Sequence, residues 1–156
     1  MSTRGFTLIE VLIVILLMGT LTGIGTFAFS QYTRKSQLTN QTRDFYVTLM
    51  EYRSRAFYEK KNWTFKISAT GYGIYSSSNV TVSPVTTVTF NKAVEFSNAT
   101  DVIYDAQGFA NVTDKTVCAA GANDAVVDSV IISRTLVQIG KRQQGEACEK
   151  SKIVAQ

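Results

Sequence analysis

From Val11 to Phe29 the chain carries no charged residue. Taken from Phe6, the segment FTLIEVLIVILLMGTLTGIGTFAF is 24 residues long, and a helix rising 1.5 Å per residue needs about 20 to cross a bilayer core. It is long enough to span. A mean hydropathy of +0.04 over the whole 156 residues conceals this block, because the remainder is polar and rich in Thr, Ser, Val and Asn. Three uses of the segment compete: a cleaved secretory signal, an ordinary single-span anchor, or a segment that serves twice. A secretory signal has a basic start, 7–15 apolar residues and a small-residue cleavage site. Here Arg4 is the only base before the run, the run is too long, and no A-x-A-like site follows it.

Composition removes several chemistries. There is no His, and the only cysteines are Cys118 and Cys148. A His-containing triad, a His-ligated metal site and a four-ligand zinc knuckle are excluded. Carboxylates and serines are scattered, and no base, metal set or phosphate-cradling glycine loop accompanies them. The chain reads as a non-enzyme with no metal and no cofactor. Of the formal +4, the excess lies in residues 34–66, where eight bases face three acids.

An ordinary anchor does not account for Glu10, near the start of the apolar run. A carboxylate in hydrocarbon costs a few kcal/mol on insertion scales, so such an acid usually has a partner. Arg4-Gly5-Phe6-Thr7-Leu8-Ile9-Glu10, followed by Val-Leu-Ile-Val-Ile, resembles the processing signature of type IV prepilins and type II secretion pseudopilins. The resemblance implies that a prepilin peptidase cuts between Gly5 and Phe6 on the cytoplasmic side and methylates the new Phe6 amine. It also implies that Glu10 pairs with the Phe6 ammonium of a neighbouring subunit during filament assembly, where the charges are poorly screened. Gly19 and Gly23 form a small-xxx-small pair that lets helices approach closely, and Gly25 adds a second soft point. Major pilins typically carry a proline in this region; this chain has none there.

Beyond the apolar run no Gly or Pro interrupts residues 26–70, and Leu38, Thr42, Phe45, Leu49, Tyr52 and Ala56 recur at helical spacing. This predicts one helix from about Phe6 to Tyr58 or Lys60, amphipathic in its second half. After Asn62 the period falls to about 2. Candidate strands are 63–68, 72–75, 80–82, 85–90, 93–96, 102–104, 126–133 and 136–141. The expected fold is α+β, the type IV pilin fold: a long helix, about 6–60, packed by its C-terminal half on an antiparallel β-sheet. The expected divisions are a leader, 1–5; the membrane and filament-core half of the helix, 6–29; its amphipathic half, 30–62; and a β-rich head, 63–156.

Finer features point within the family. Leu49-x3-Arg53-Ser54-x-Ala56, then Tyr104-Asp105-x2-Gly108, then Ile131-Ile132-Ser133 with Gly140 and Arg142 before a late Cys, are similar to FimU-type minor pilins and H-type pseudopilins. For an exported chain a Cys118–Cys148 bridge is expected, reminiscent of the disulfide loop of type IV pilins and favouring a pilus over a secretion system. Two unpaired buried thiols are the alternative; a redox pair would call for C-x-x-C spacing.

The resemblance thus implies a minor type IV pilin, stored in the bacterial inner membrane with its head in the periplasm and later exposed on the pilus. Its implied partners are major and minor pilins, prepilin peptidase and the inner-membrane assembly platform. It would act in a tip or initiation complex serving adhesion, twitching motility or DNA uptake. The alternatives are a minor pseudopilin of type II secretion and a competence pilin touching DNA. In the latter, Arg53, Arg55, Lys60, Lys61 and Lys66 would meet phosphates, with Phe57, Tyr58 and Trp63 stacking on bases. A solvated basic helix face is the plainer reading of that cluster.

Overall fold

Thr7 opens the helix. Its carbonyl accepts the amides of Glu10 and Val11 at 3.1 and 3.3 Å, and its Oγ1 accepts the Glu10 amide at 3.4 Å. The hydroxyl thereby adds a second acceptor to an amide of the first turn, where no carbonyl four residues back lies within the helix. The computed structural model describes residues 7–121 and 124–156, with side chains throughout except at 24–28. Helix α1 runs Leu8–Glu59, 52 residues, and stops where Lys60 takes a left-handed φ of 54°, a conformation that ends helices. The expected C-terminal boundary agrees; Phe6, the expected start, lies outside the described residues.

The chain divides into two compact units between Arg34 and Lys35. The first is helical. Leu8, Leu12, Ile15, Leu16, Met18 and Leu21 are exposed there, while Thr20, Thr22 and Thr33 turn their hydroxyls back onto the carbonyls of Leu17, Met18 and Phe29 at 2.7–2.9 Å. Among the described residues no helix is long and apolar enough to cross a membrane. The expected span, 6–29, includes Phe6 and the side chains of 24–28, which lie outside the described set.

In the second unit every member of the anticipated helical stripe is buried: Leu38, Thr42, Phe45, Leu49, Tyr52 and Ala56. The apolar members from Phe45 onward meet strands. One antiparallel sheet has the order β3-β2-β1-β5, formed by β1 (Trp63–Ser68), β2 (Gly71–Tyr75), β3 (Thr86–Thr89) and β5 (Val102–Tyr104). A second has the order β4-β6-β7-β8-β9, formed by β4 (Val94–Phe96), β6 (Asp114–Ala119), β7 (Ser129–Ser133), β8 (Val137–Arg142) and β9 (Ile153–Ala155). The register Phe65↔Ile74 and Ile67↔Tyr72 puts four large apolar side chains on one face. Tyr52 packs edge-on against Trp63 and Phe65, with centroids at 4.8 and 5.6 Å, and Phe45 lies 5.0 Å from Tyr72. These aromatic contacts join α1 to the first sheet, and Val117, Val130, Ile132 and Val137 bring the second sheet into the same core.

Three features differ from the strand reading. Residues 80–82 form no strand, because Asn79 Oδ1 takes the Thr81 amide and hydroxyl at 2.9 and 2.7 Å; a local side-chain acceptor here displaces a strand partner. β6 was not anticipated, although it pairs with both β4 and β7. The three-residue β9 closes the second sheet beside β8.

Candidate functional site

At the N-terminus, Gly5 and Phe6, where processing is expected, lie outside the described residues. Glu10 stands in the first turn of α1 and is exposed. A carboxylate there suits the positive end of the helix dipole. The adjoining surface, Leu8, Val11, Leu12, Ile15 and Leu16, is apolar and uncovered. Among the described residues, none lies within 4 Å of a Cβ added at Gly19 or Gly23. The arrangement joins one ionisable group to a long apolar helix face.

The basic cluster is largely engaged within the chain. Arg53 donates from Nε to the Gly108 carbonyl at 2.9 Å. Arg55 pairs with Glu51 at 3.0 Å and lies over the Tyr52 ring at 4.9 Å. Lys60 sits 3.9 Å from the Phe57 ring centroid. Lys61 pairs with Glu59 at 2.7 Å and covers Trp63 at 4.7 Å; its hydrogen bond holds the exposed Glu59 carboxyl below the usual range. Lys66 is exposed on β1, on the face opposite Phe65 and Ile67. Trp63 is buried in the core, so of the three aromatics proposed to stack on bases only Phe57 and Tyr58 are exposed.

The Tyr104-Asp105-x2-Gly108 feature is a tight turn leaving β5. The Asp105 carboxylate accepts the amides of Gln107 and Phe109 at 2.9 Å each, and Gly108 adopts φ +80°, a region open to glycine. Arg53 therefore ties α1 to this turn.

Elsewhere in the second unit, Cys118 of β6 and Cys148 form a disulfide with Cα atoms 5.9 Å apart. Thr116 Oγ1 donates to the Cys148 carbonyl at 2.6 Å. Nearby, the buried Arg142 guanidinium donates to Glu95 at 3.0 Å and to the carbonyls of Ala119 and Gly121 at 2.9 Å each. Its backbone amide donates to buried Asp128 at 2.8 Å, which also receives Ser129 Oγ and Lys141 Nζ. Arg142 was singled out from the sequence, but Glu95 and Asp128 were not. They lie 47 and 14 residues before it, and no spacing rule links residues brought together only by sheet pairing. Buried Lys115 was also missed; it donates to the Thr100 carbonyl, and burial pushes its ammonium below the usual lysine range. Among the described residues no His, Cys, Asp and Glu cluster could hold a metal ion.

Comparison with known proteins adds two findings. Residues 1–26 match the prokaryotic N-terminal methylation motif. The fold is similar to the crystal structure of the Pseudomonas aeruginosa (strain PAO1) type IV minor pilin FimU, with a TM-score of 0.57 and 18% sequence identity over 79% of this chain and 96% of that one. No curated protein matches the sequence.

Proposed function

We propose that this chain, which joins a prokaryotic N-terminal methylation motif to the fold of a type IV pilin, is a minor type IV pilin. It is a structural, non-enzymatic subunit. In this reading residues 1–5 are a leader removed between Gly5 and Phe6 by prepilin peptidase, and the new Phe6 amine is methylated. Residues 6–29 hold the chain in the bacterial inner membrane and then enter the filament core; residues 30–62 complete the helix, and the head, 63–156, stands first in the periplasm and then on the pilus. The subunit joins other pilins through the inner-membrane assembly platform, in a tip or initiation complex that supports adhesion, twitching motility or DNA uptake.

The observation that carries this reading is the motif's position. It occupies residues 1–26 and overlaps the first turns of a helix whose later turns pack into the core of a FimU-like head. The Cys118–Cys148 bridge favours a pilus over a secretion pseudopilus. The engagement of Arg53, Arg55 and Lys61 with partners in the same chain counts against the DNA-touching reading.

Glu10 supplies the test. As the carboxylate that meets the Phe6 ammonium of a neighbour, it is needed for incorporation and not for cleavage. Glu10→Ala is expected to be cut and methylated at Phe6 yet absent from sheared filaments. Incorporation at the wild-type level would overturn the pairing, and an uncut wild-type chain in its host would overturn the pilin reading itself.

A further inference from the structure

Five of the seven asparagines stand two residues before a threonine: Asn40, Asn62, Asn79, Asn98 and Asn111. Threonine is about one residue in eight, so chance would supply about one such pair. Asn-x-Thr with no proline between is the acceptor pattern for N-linked glycans on exported chains.

The structure sorts the five. Asn40 lies within α1, and its Thr42 is buried, with the hydroxyl on the Leu38 carbonyl at 3.0 Å. Thr64, the partner of Asn62, is fully buried and donates to the Ser77 carbonyl at 2.7 Å. The Asn111 amide is occupied at both ends, donating to the Asp101 carbonyl at 3.1 Å and accepting the Ile103 amide at 2.8 Å. In these three pairs the threonine or the asparagine is committed to the fold.

Asn79 and Asn98 differ. Each lies in an exposed connection, between β2 and β3 and between β4 and β5. Asn79 Oδ1 accepts both the amide and the hydroxyl of exposed Thr81, at 2.9 and 2.7 Å. Asn98 Oδ1 accepts the Thr100 amide at 3.3 Å. With Oδ1 engaged by its own threonine, the Asn79 carboxamide is held by one end, and no described residue bonds its Nδ2. That nitrogen is the atom a glycan would take.

We propose that Asn79, in its exposed turn with Thr81, is an acceptor for an N-linked glycan, with Asn98 as a second. The assignment rests on the proposed function, which places the head outside the cytoplasm. The donor is a polyprenyl-pyrophosphate-linked oligosaccharide presented by a membrane oligosaccharyltransferase. Asn79 Nδ2 forms a bond to the anomeric carbon as that carbon's bond to the pyrophosphate oxygen breaks. The lipid pyrophosphate leaves with the electron pair, and one amide proton is released.

The experiment is peptide mapping by mass spectrometry of the full chain purified from its native host. A glycan is expected on the peptides bearing Asn79 and Asn98, with Asn40, Asn62 and Asn111 bare. Asn79→Gln and Thr81→Ala should each abolish modification at position 79, whereas Thr81→Ser, which keeps the hydroxyl, should retain it. Bare Asn79 and Asn98 on a chain that begins with N-methylated Phe6 overturn the glycan assignment alone. Bare asparagines on a chain that keeps its leader overturn the pilin reading beneath it as well.

Discussion

Gln41 and Lys92 exchange two hydrogen bonds of 2.8 Å each, the Gln41 side-chain amide donating to the Lys92 carbonyl and accepting the Lys92 amide. A side chain on α1 thus pairs with loop backbone as a strand would, across 51 residues of sequence. The loop between β3 and β4 is fastened to the helix by this single carboxamide's two ends. Gln41→Glu keeps the acceptor and loses the donor, and sets a carboxylate against the Lys92 carbonyl. A loss of about 1 kcal/mol is expected, measured by urea unfolding of a soluble head fragment that begins within α1. No change in midpoint would refute the pairing.

Cys118 and Cys148 close a loop across 30 residues of sequence. Cutting that crosslink should cost about 3–4 kcal/mol on the loop-entropy account, and the double variant Cys118→Ala/Cys148→Ala is expected to show it. Hydrogen exchange should locate the loosening at the tail, where the Gln143 and Gln156 amides donate to the Lys152 and Ile139 carbonyls. Equal exchange in both forms would mean that β9 holds without the bridge.

The Tyr104 hydroxyl is buried with no hydrogen-bond partner among the described residues. An unsatisfied buried hydroxyl costs free energy, so Tyr104→Phe is expected to raise stability by about 1 kcal/mol rather than lower it. Burial also pushes this phenol above the usual tyrosine range, opposed by nearby Arg53. A folded pKa above the unfolded one means that its contribution is intact below about pH 10 and lost as pH rises beyond it. The Phe variant should therefore lose less stability in alkali. A destabilised variant would reveal a partner for the hydroxyl.

At acid pH the informative group is Asp114. Lys150 Nζ and Ser133 Oγ donate to it at 2.7 and 2.8 Å and hold its carboxyl below the usual range. A folded pKa below the unfolded one gives stability that is complete above about pH 4 and lost as pH falls through the folded value. Both charged side chains are roughly half exposed, so the gain is well under about 1 kcal/mol. Asp114→Asn should narrow the stability difference between pH 6 and pH 2.5 by that amount, and an unchanged difference would remove Asp114 from the acid response.

The helix was legible because its buried positions alternate at steps of three and four with polar ones; Leu38, Thr42, Phe45, Leu49, Tyr52 and Ala56 required no knowledge of the sheets. β1 and β5 were equally plain, since Trp63–Ser68 and Val102–Tyr104 carry large or branched side chains between turn signals. β6 was hidden for the opposite reason. From Lys115 to Ala119 it is buried at every residue, including a lysine and a threonine, so it has neither the alternation of a half-exposed strand nor the apolar run of a hydrophobic one. At Val80–Val82 alternation misled, because Asn79 claims the Thr81 amide. Within the site, Arg142 and the cysteines could be read as isolated residues, but Glu95 and Asp128 gain meaning only through the pairing of β4 with β6 and of β7 with β8.

Thr20 and Thr22, described with α1, bond their hydroxyls to their own helix. A helix that satisfies its polar side chains internally has no hydrogen bond to rearrange when its surroundings change. In the proposed passage from lipid to filament, these threonines are indifferent to the exchange of neighbours, which alters only van der Waals contact along that face. Glu10 is the exception, an ionisable group with a reason to prefer one environment over the other. In that reading the preference for the filament acts at Glu10, at one end of the segment, and Thr20 and Thr22 neither aid nor oppose it.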